Sequence, residues 1–547
     1  VMGTASRARR AVEALARPAE RAPLLASLGL ALLPETTSAT ADARDVFAAE
    51  VLSQSYRDAS EAKRARDMAT ALGLAGELRL RRGQPVAAIA ALERALALSE
   101  AAGDDPWRYR WRWRLGASRL ATGDREGARR ELTQAVADLD AAKATRALGR
   151  FSTGSLARDY RGAYLDLADL LLGWGDDDPA KLREARDLLE RSRASEVEDY
   201  FRDPCVTSAS RRTAGPAPGD GTVAILYPIS FASRTEILVE HPSGITRFSA
   251  PVGAVAMARE VQRLRASAER PFDERYLAPA RRLHDWLVAP VAAHLARLGV
   301  GTLVWVPDGA LRGLPFAALH DGERHLLERF AVAVTPVASL VDARPMAASP
   351  RAVLTGLTEA REGFDSLPAV AGELAAISKL LGAPVLRDSA FTVEALRSTL
   401  EKSPASVIHV ASHGQFAPEA TQSFLLAWDG RFTLPQLRQA LSSPRLREEP
   451  VELLTLSACQ TAAGDERAAL GLAGVALSAG ARSALATLWS VNDESTAALV
   501  TDFYARLVRD GASKAEALRG AQLALVRGER FSHPAFWAPF LLIGNWL

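Results

Sequence analysis

Two stretches of this chain, 40 residues apart, carry one apolar pattern behind one glycine, and this repetition limits the possible folds more than any other feature. Gly83 is followed by Ala88, Leu92, Ala95 and Leu96, and Gly123 by Ala128, Leu132, Ala135 and Val136, at the same offsets. Another glycine stands seven residues earlier in each copy, Gly76 and Gly116. Steps of three and four residues put the apolar side chains on one helical face. The pattern therefore predicts helix pairs, with a glycine in the first helix where its neighbour crosses closely and small alanines buried by the second. Leu28-Gly29 shares the Leu-Gly context of Leu115-Gly116, and a degenerate copy is expected over Leu182 to Ala194.

Repeats of this kind resemble tetratricopeptide (TPR) repeats in a lengthened form, the common period being about 34 residues. The resemblance implies an all-α TPR-like solenoid over residues 1–202, whose concave face binds a protein or peptide. An unrelated helical bundle is the competing reading. The run Leu24–Leu33 also has a faint look of a signal peptide, but it is short and preceded by Glu13 and Glu20, so a repeat helix is expected. No run approaches the roughly 20 apolar residues of a membrane span. Trp107-Arg-Tyr-Arg-Trp-Arg-Trp-Arg114 interleaves bases and aromatics as nucleic-acid binders do. Helical geometry puts Trp107 and Trp111 on one face and scatters the arginines over the others, which favours packing between helices.

A chain of 547 residues calls for more than one domain. Helical periodicity stops at residues 203–221, rich in Pro, Gly, Ser and Thr, which reads as a linker. From 222 to 547 short apolar runs alternate with amphipathic helices. Strands are expected at 223–229, 236–240, 302–306, 352–357, 407–411, 424–428, 452–457, 483–489 and 539–543. Helices are expected at 255–268, 371–381, 393–400, 470–479 and 495–509. The alternation predicts an α/β domain with a mostly parallel central sheet flanked by helices, in two parts, 222–350 and 351–547.

With 67 basic and 65 acidic residues the net charge is +2, which gives no electrostatic reason to expect nucleic acid or an acidic membrane as partner. The two cysteines, Cys205 and Cys459, exclude a disulfide scaffold, and neither belongs to a zinc-binding spacing. A reducing, cytoplasmic setting is expected. Cys205 has no histidine near it in sequence and reads as an incidental thiol.

In open α/β sheets reactive groups gather past the carboxyl ends of strands. One expected strand ends in Ser412-His413-Gly414, another in Ser457-Ala458-Cys459-Gln460-Thr461. If the strands are parallel neighbours, these ends meet. A thiol beside an imidazole suffices for acyl transfer, with Cys459 as nucleophile and His413 as base. The backbone amides of Gly414 and Cys459 would form an oxyanion hole. A bland reading competes, since cysteine and histidine at strand ends are often only packing. His409 reads as a buried, hydrogen-bonded imidazole, and the other histidines lack any partner motif for a metal.

VIHVASHG and LLTLSACQT resemble the His-Gly and Ser-Ala-Cys motifs of the CHAT family of caspase-like (clan CD) cysteine peptidases, found mostly in bacteria beside TPR repeats. Val304-Trp-Val-Pro-Asp308 with Leu314-Pro-Phe316, Leu367-Pro with Gly372-Glu373, Ala486-Thr-Leu-Trp489 and His533-Pro-Ala-Phe-Trp537 match its recurrent segments in order. The resemblance implies a regulated endopeptidase performing limited proteolysis of a partner protein in signalling or immunity, without metal or cofactor. It also implies an activating partner or ligand on the repeats. A non-catalytic scaffold and an acyltransferase using the same pair are the alternatives. Caspases select Asp before the cut partly through a Gln two positions before the cysteine; Ser457 stands there instead. Asp493, with Asp465 and Glu466 as lesser candidates, would make the pocket acidic and favour Arg or Lys. Asp493 also reads as a helix N-cap, and one residue could do both.

Overall fold

The computed structural model describes residues 2–33, 43–103, 105–144, 153–173, 177–201, 221–347, 350–403, 405–417, 419–441, 449–461, 474 and 480–547. The chain divides into two compact units, Val1–Asp176 and Asp177–Leu547.

The first unit is all-α: α1 (Met2–Glu13), α2 (Pro18–Leu32), α3 (Ala43–Glu61), α4 (Ala65–Arg81), α5 (Pro85–Ala102), α6 (Arg108–Ala121), α7 (Arg125–Ala144) and α8 (Thr153–Leu172). Its strongest pairings are α2 with α3, α4 with α5 and α6 with α7, the TPR-like solenoid expected from the repeat. The repeated glycines are where the helices of each pair touch. A Cβ on Gly76 would stand 2.7 Å from Leu92, one on Gly116 2.7 Å from Leu132, and one on Gly29 2.4 Å from Leu52. Each contact leaves no room for even a methyl group, so the Leu24–Leu33 run is largely a repeat helix closely packed on its partner. Trp107 and Trp111 stack at 5.8 Å, and Trp111 fills the hollow at Gly73. Aromatic packing is thus the structural use of the Trp/Arg run.

The expected boundary at 202 differs from the observed one. Helix α9 (Pro179–Phe201) packs within the second unit, where Ala194, Val197 and Tyr200 meet Val337, Leu340 and Ala420. Glu190 accepts from the amides of Ala338 and Ser339, and the Tyr200 hydroxyl donates to the Ala417 carbonyl at 2.7 Å. These side-chain bonds to the α/β domain are what assign α9 to it. The linker up to residue 220, including Cys205, lies outside the described residues.

Among the described residues the second unit holds a 13-stranded sheet. Its strands are β1 (Val223–Ser230), β2 (Thr235–His241), β3 (Gly244–Ala250), β4 (Thr302–Trp305), β5 (Ala331–Val334), β6 (Ala352–Gly356), β7 (Val385–Arg387), β8 (Val407–Phe416), β9 (Phe424–Ala427), β10 (Gly430–Thr433), β11 (Leu453–Thr461), β12 (Ser483–Thr487) and β13 (Phe540–Gly544). The path runs β7-β6-β8-β11-β12-β13-β5-β4-β1-β2-β3, and β9-β10 extend it alongside the far half of β8. Pairing is parallel from β7 to β12 and from β13 to β1, antiparallel elsewhere. The last strand, β13, sits between β12 and β5 and so joins the two expected parts into one sheet. Helices α10 (Ala254–Ala268), α11 (Leu277–Leu287), α12 (Ala289–Leu298), α13 (Ala369–Leu381), α14 (Val393–Lys402), α15 (Leu434–Leu441), α16 (Asp493–Arg509) and α17 (Lys514–Val526) complete the layers. Of the expected helix 470–479 only residue 474 is among the described residues.

An aromatic cluster ties the segment after α10 to the chain's last turn: His325 lies 5.0 Å from Trp537, 4.8 Å from His320 and 6.1 Å from Tyr276, which meets His533. Burial pushes the His325 imidazole down to about 4, with His320 reinforcing it. A histidine depressed below its unfolded value of about 6.5 stabilises the fold as the neutral ring. That contribution is complete above pH 6.5 and is lost as the pH falls toward 4, on the order of 3 kcal/mol. Urea unfolding at pH 7 and pH 4.5 should therefore show a smaller acid loss for His325→Phe than for the wild type.

Candidate active site

Parallel pairing of β8 with β11 brings the two motifs together as expected. In register, Leu453 to Ser457 run opposite Val407 to Ala411, and after a bulge between Ser457 and Cys459 the pairing resumes with Cys459 opposite Gly414. The extra residue is on β8, where Ser412 and His413 stand against the single Ala458 of β11, so the bulge puts Gly414 rather than His413 opposite Cys459. One detail differs from expectation. His413 and Cys459 stand inside strands rather than beyond them, because β9 pairs with Gly414 and Gln415 and prolongs the sheet. Gly414 and Cys459, the two expected oxyanion donors, face each other across the ladder. The Cys459 sulfur lies outside the described side chains.

His413 is half-buried, and two neighbours orient its ring. Its Nε2 lies 2.8 Å from the Asp365 carbonyl, and Phe364 stacks on it at 4.9 Å with a 29° interplanar angle. A carbonyl has no proton to give, so Nε2 carries the hydrogen and donates it. In the neutral ring Nδ1 is then bare and free to take a proton. Nothing in the sequence marks the group that orients His413. The group is a backbone oxygen, which any residue type supplies, so no side-chain signature marks it.

His409, on the same strand, is fully buried, as is Glu373 of α13. Nε2 of His409 stands 3.0 Å from Glu373 Oε1, yet neither ring nitrogen makes a well-aimed hydrogen bond. The distance alone makes this a close polar contact rather than the hydrogen bond expected. Tyr504 meets the His409 ring edge-on at 5.7 Å and is itself bonded to Thr455 at 2.7 Å.

Of the specificity candidates, Ser457 is buried in β11. Asp465 and Glu466 lie outside the described residues. Asp493 has a role that the sequence did not reveal. The N-cap of α16 is Asn492, whose side chain accepts from the Ser495 amide. Asp493 instead caps a different helix, its Oδ2 accepting from the Ala369 amide of α13 at 2.6 Å. Burial raises the Asp493 carboxyl above the ordinary range, Glu373 and Glu494 add to this, and the Ala369 amide and His413 oppose it. Asp493 thus lies within electrostatic reach of His413. Among the described residues no cluster of His, Cys, Asp and Glu could hold a metal ion, and no helix is long and apolar enough to cross a membrane.

Sheet order and flanking helices define an α/β domain that follows a helical solenoid in the chain and sets a His-Gly strand beside an Ala-Cys strand. Residues 277–545 match the family model for the CHAT domain. The chain is similar to two curated proteins called tetratricopeptide repeat protein 28. The mouse protein is 28% identical over 331 residues and the human protein 26% over 327, each match covering 49% of this chain and 13% of the relative. Two crystal structures of the Saccharomyces cerevisiae separase–securin complex align with 99% of this chain and 48% of theirs, at TM-scores of 0.45 and 0.40 and identities of 8% and 9%.

Proposed function

We propose that the chain is a regulated cysteine endopeptidase of the CHAT, caspase-like kind, cutting a partner protein at few sites, with the helical repeats holding the activator or the substrate. The observation that carries this reading is the register of Cys459 opposite Gly414, next to a histidine whose Nε2 is committed to a carbonyl. His413 Nδ1 takes the thiol proton, and the thiolate attacks the peptide carbonyl. The same proton then passes to the leaving amine, and water hydrolyses the thioester. The reaction needs no metal or organic cofactor. An acidic S1 pocket at Asp493 is part of the proposal, through the carboxylate oxygen not bonded to Ala369, and it favours Arg or Lys before the cut. A cytoplasmic setting is proposed on the cysteine count.

The test is a census of new protein N-termini in a proteome exposed to the wild type and to Cys459→Ala. The wild type alone should create termini, preceded mostly by a basic residue. Identical censuses, with Cys459→Ala keeping the full biological effect, would instead establish a scaffold. Cuts after Asp or apolar residues would remove the acidic pocket while leaving the peptidase.

A further inference from the structure

We infer that Arg361 is a positioning residue for His413, acting through the turn that supplies the ring's two neighbours. Phe364 and Asp365 belong to an excursion between β6 and α13 that closes where the Leu367 amide bonds the Thr358 carbonyl. Its tip is a two-residue turn, Glu362-Gly363, with positive φ at both positions (48° and 84°) and hydrogen bonds exchanged between Arg361 and Phe364. This geometry fixes Phe364 relative to Arg361, so whatever holds one holds the other. At the base, the Thr358 amide and hydroxyl both donate to the Asp388 carboxylate at 2.7 Å. At the tip, Arg361 does the holding. Its Nη2 donates to the Trp428 carbonyl at 2.6 Å, and its guanidinium carbon lies 4.0 Å from the centre of the Trp428 ring.

Trp428 is a firm anchor. It occupies the turn between β9 and β10, and its amide bonds the Phe391 carbonyl at 2.8 Å. Strand β9 is the one that pairs with Gly414, so the clasp ties the excursion to the strand flanking His413. Glu362 and Arg431 stand 3.7 Å apart across the same seam, a weaker and more exposed contact. Cation–π stacking with a charge-assisted hydrogen bond from one guanidinium makes the Arg361 contact directional. Without it the tip keeps only weaker ties to this seam, the Glu362–Arg431 pair and the edge-on contact of Phe364 with Phe424 at 6.3 Å, and the Phe364 ring and the Asp365 carbonyl shift away from the imidazole. A displacement of about 1 Å at such a point is enough to slow chemistry about a hundredfold.

The rate arm of the test rests on the proposed peptidase; a spectroscopic arm does not. In the full-length chain, Arg361→Ala should lower kcat about ten- to a hundredfold with KM little changed. Arg361→Lys, which can still donate to the Trp428 carbonyl, should recover most of the loss, and Trp428→Leu, which removes the stack, should reproduce part of it. Histidine-selective 15N spectra should show a slowly exchanging Nε2 proton on His413 in the wild type that exchanges fast in Arg361→Ala. Wild-type kcat and a still-protected proton in Arg361→Ala would overturn the inference. If no peptidase activity exists at all, the exchange of that proton decides alone. Should Arg361→Ala fail to fold, Trp428→Leu carries both readings.

Discussion

Changing His413 to alanine should slow peptide cleavage by about a thousandfold, within the range of 10²–10⁴ ascribed to a positioned general acid–base. The melting temperature should scarcely move, since the ring is half-buried and bonded to a single carbonyl. His413→Asn sharpens the result. An asparagine amide can still donate to the Asp365 carbonyl but offers no basic nitrogen to the thiol, so it should be as slow as alanine. If His413→Asn retained a substantial share of the rate, the imidazole would be only a spacer and Cys459 would draw its base from elsewhere. His409→Ala is the contrasting case. That ring is fully buried against Glu373, and its loss should appear first as instability. The measurements are kcat on a peptide spanning a mapped cleavage site, with thermal melting on the same preparations.

The parts of this architecture legible in the sequence are those written in side-chain pattern. The nine expected strands all form, because each is a run of mostly apolar residues. Of the four that escaped, β3 is a half-exposed edge strand reading Gly-Ile-Thr-Arg-Phe-Ser-Ala, β7 has three residues, β10 reads Gly-Arg-Phe-Thr, and β5 is a short buried apolar run, Ala-Val-Ala-Val, assigned to no expected strand. β10 is created by the turn at Trp428 and Asp429 that pairs it back on β9, an effect of chain reversal rather than composition. The site divides in the same way. His413, Gly414 and Cys459 were visible as motifs at strand ends. The Asp365 carbonyl is backbone, and the Ala369 amide that takes up Asp493 is far away in sequence, so neither left a local trace. Asp493 follows the true cap, Asn492, and a sequence with both residues at a helix start does not say which carboxamide or carboxylate turns inward.

Glu77 shows the same limit in the helical unit and carries the second large effect. Helical geometry scattered the arginines of residues 107–114 over several faces, and the structure turns two of them inward to one carboxylate. Glu77 of α4 is fully buried, with Arg81 at 2.6 Å, Arg110 at 2.9 Å and Arg114 at 3.0 Å. Burial by itself would raise the Glu77 carboxyl, but Arg114, Arg110 and Arg81 outweigh it and hold it down at about 2. The pair of helices α4 and α6 is therefore joined by charge across their crossing. Removing one member of a buried ionic cluster leaves the others without a counter-charge, so Glu77→Gln should destabilise this unit by about 3 kcal/mol or more. A depressed carboxyl stabilises the fold above its unfolded value of about 4.3 and ceases to do so as the pH falls toward 2. The gap between wild type and Glu77→Gln in urea midpoint should accordingly be widest near neutral pH and close below pH 3. Combining Glu77→Leu with Arg110→Met should hurt less than the two single changes added together, since the double change also removes one of the three arginines that lose Glu77. Strict additivity, or a gap that persists in acid, would mean that the arginines already reach solvent and that packing of Trp111, not this carboxylate, holds the two helices together.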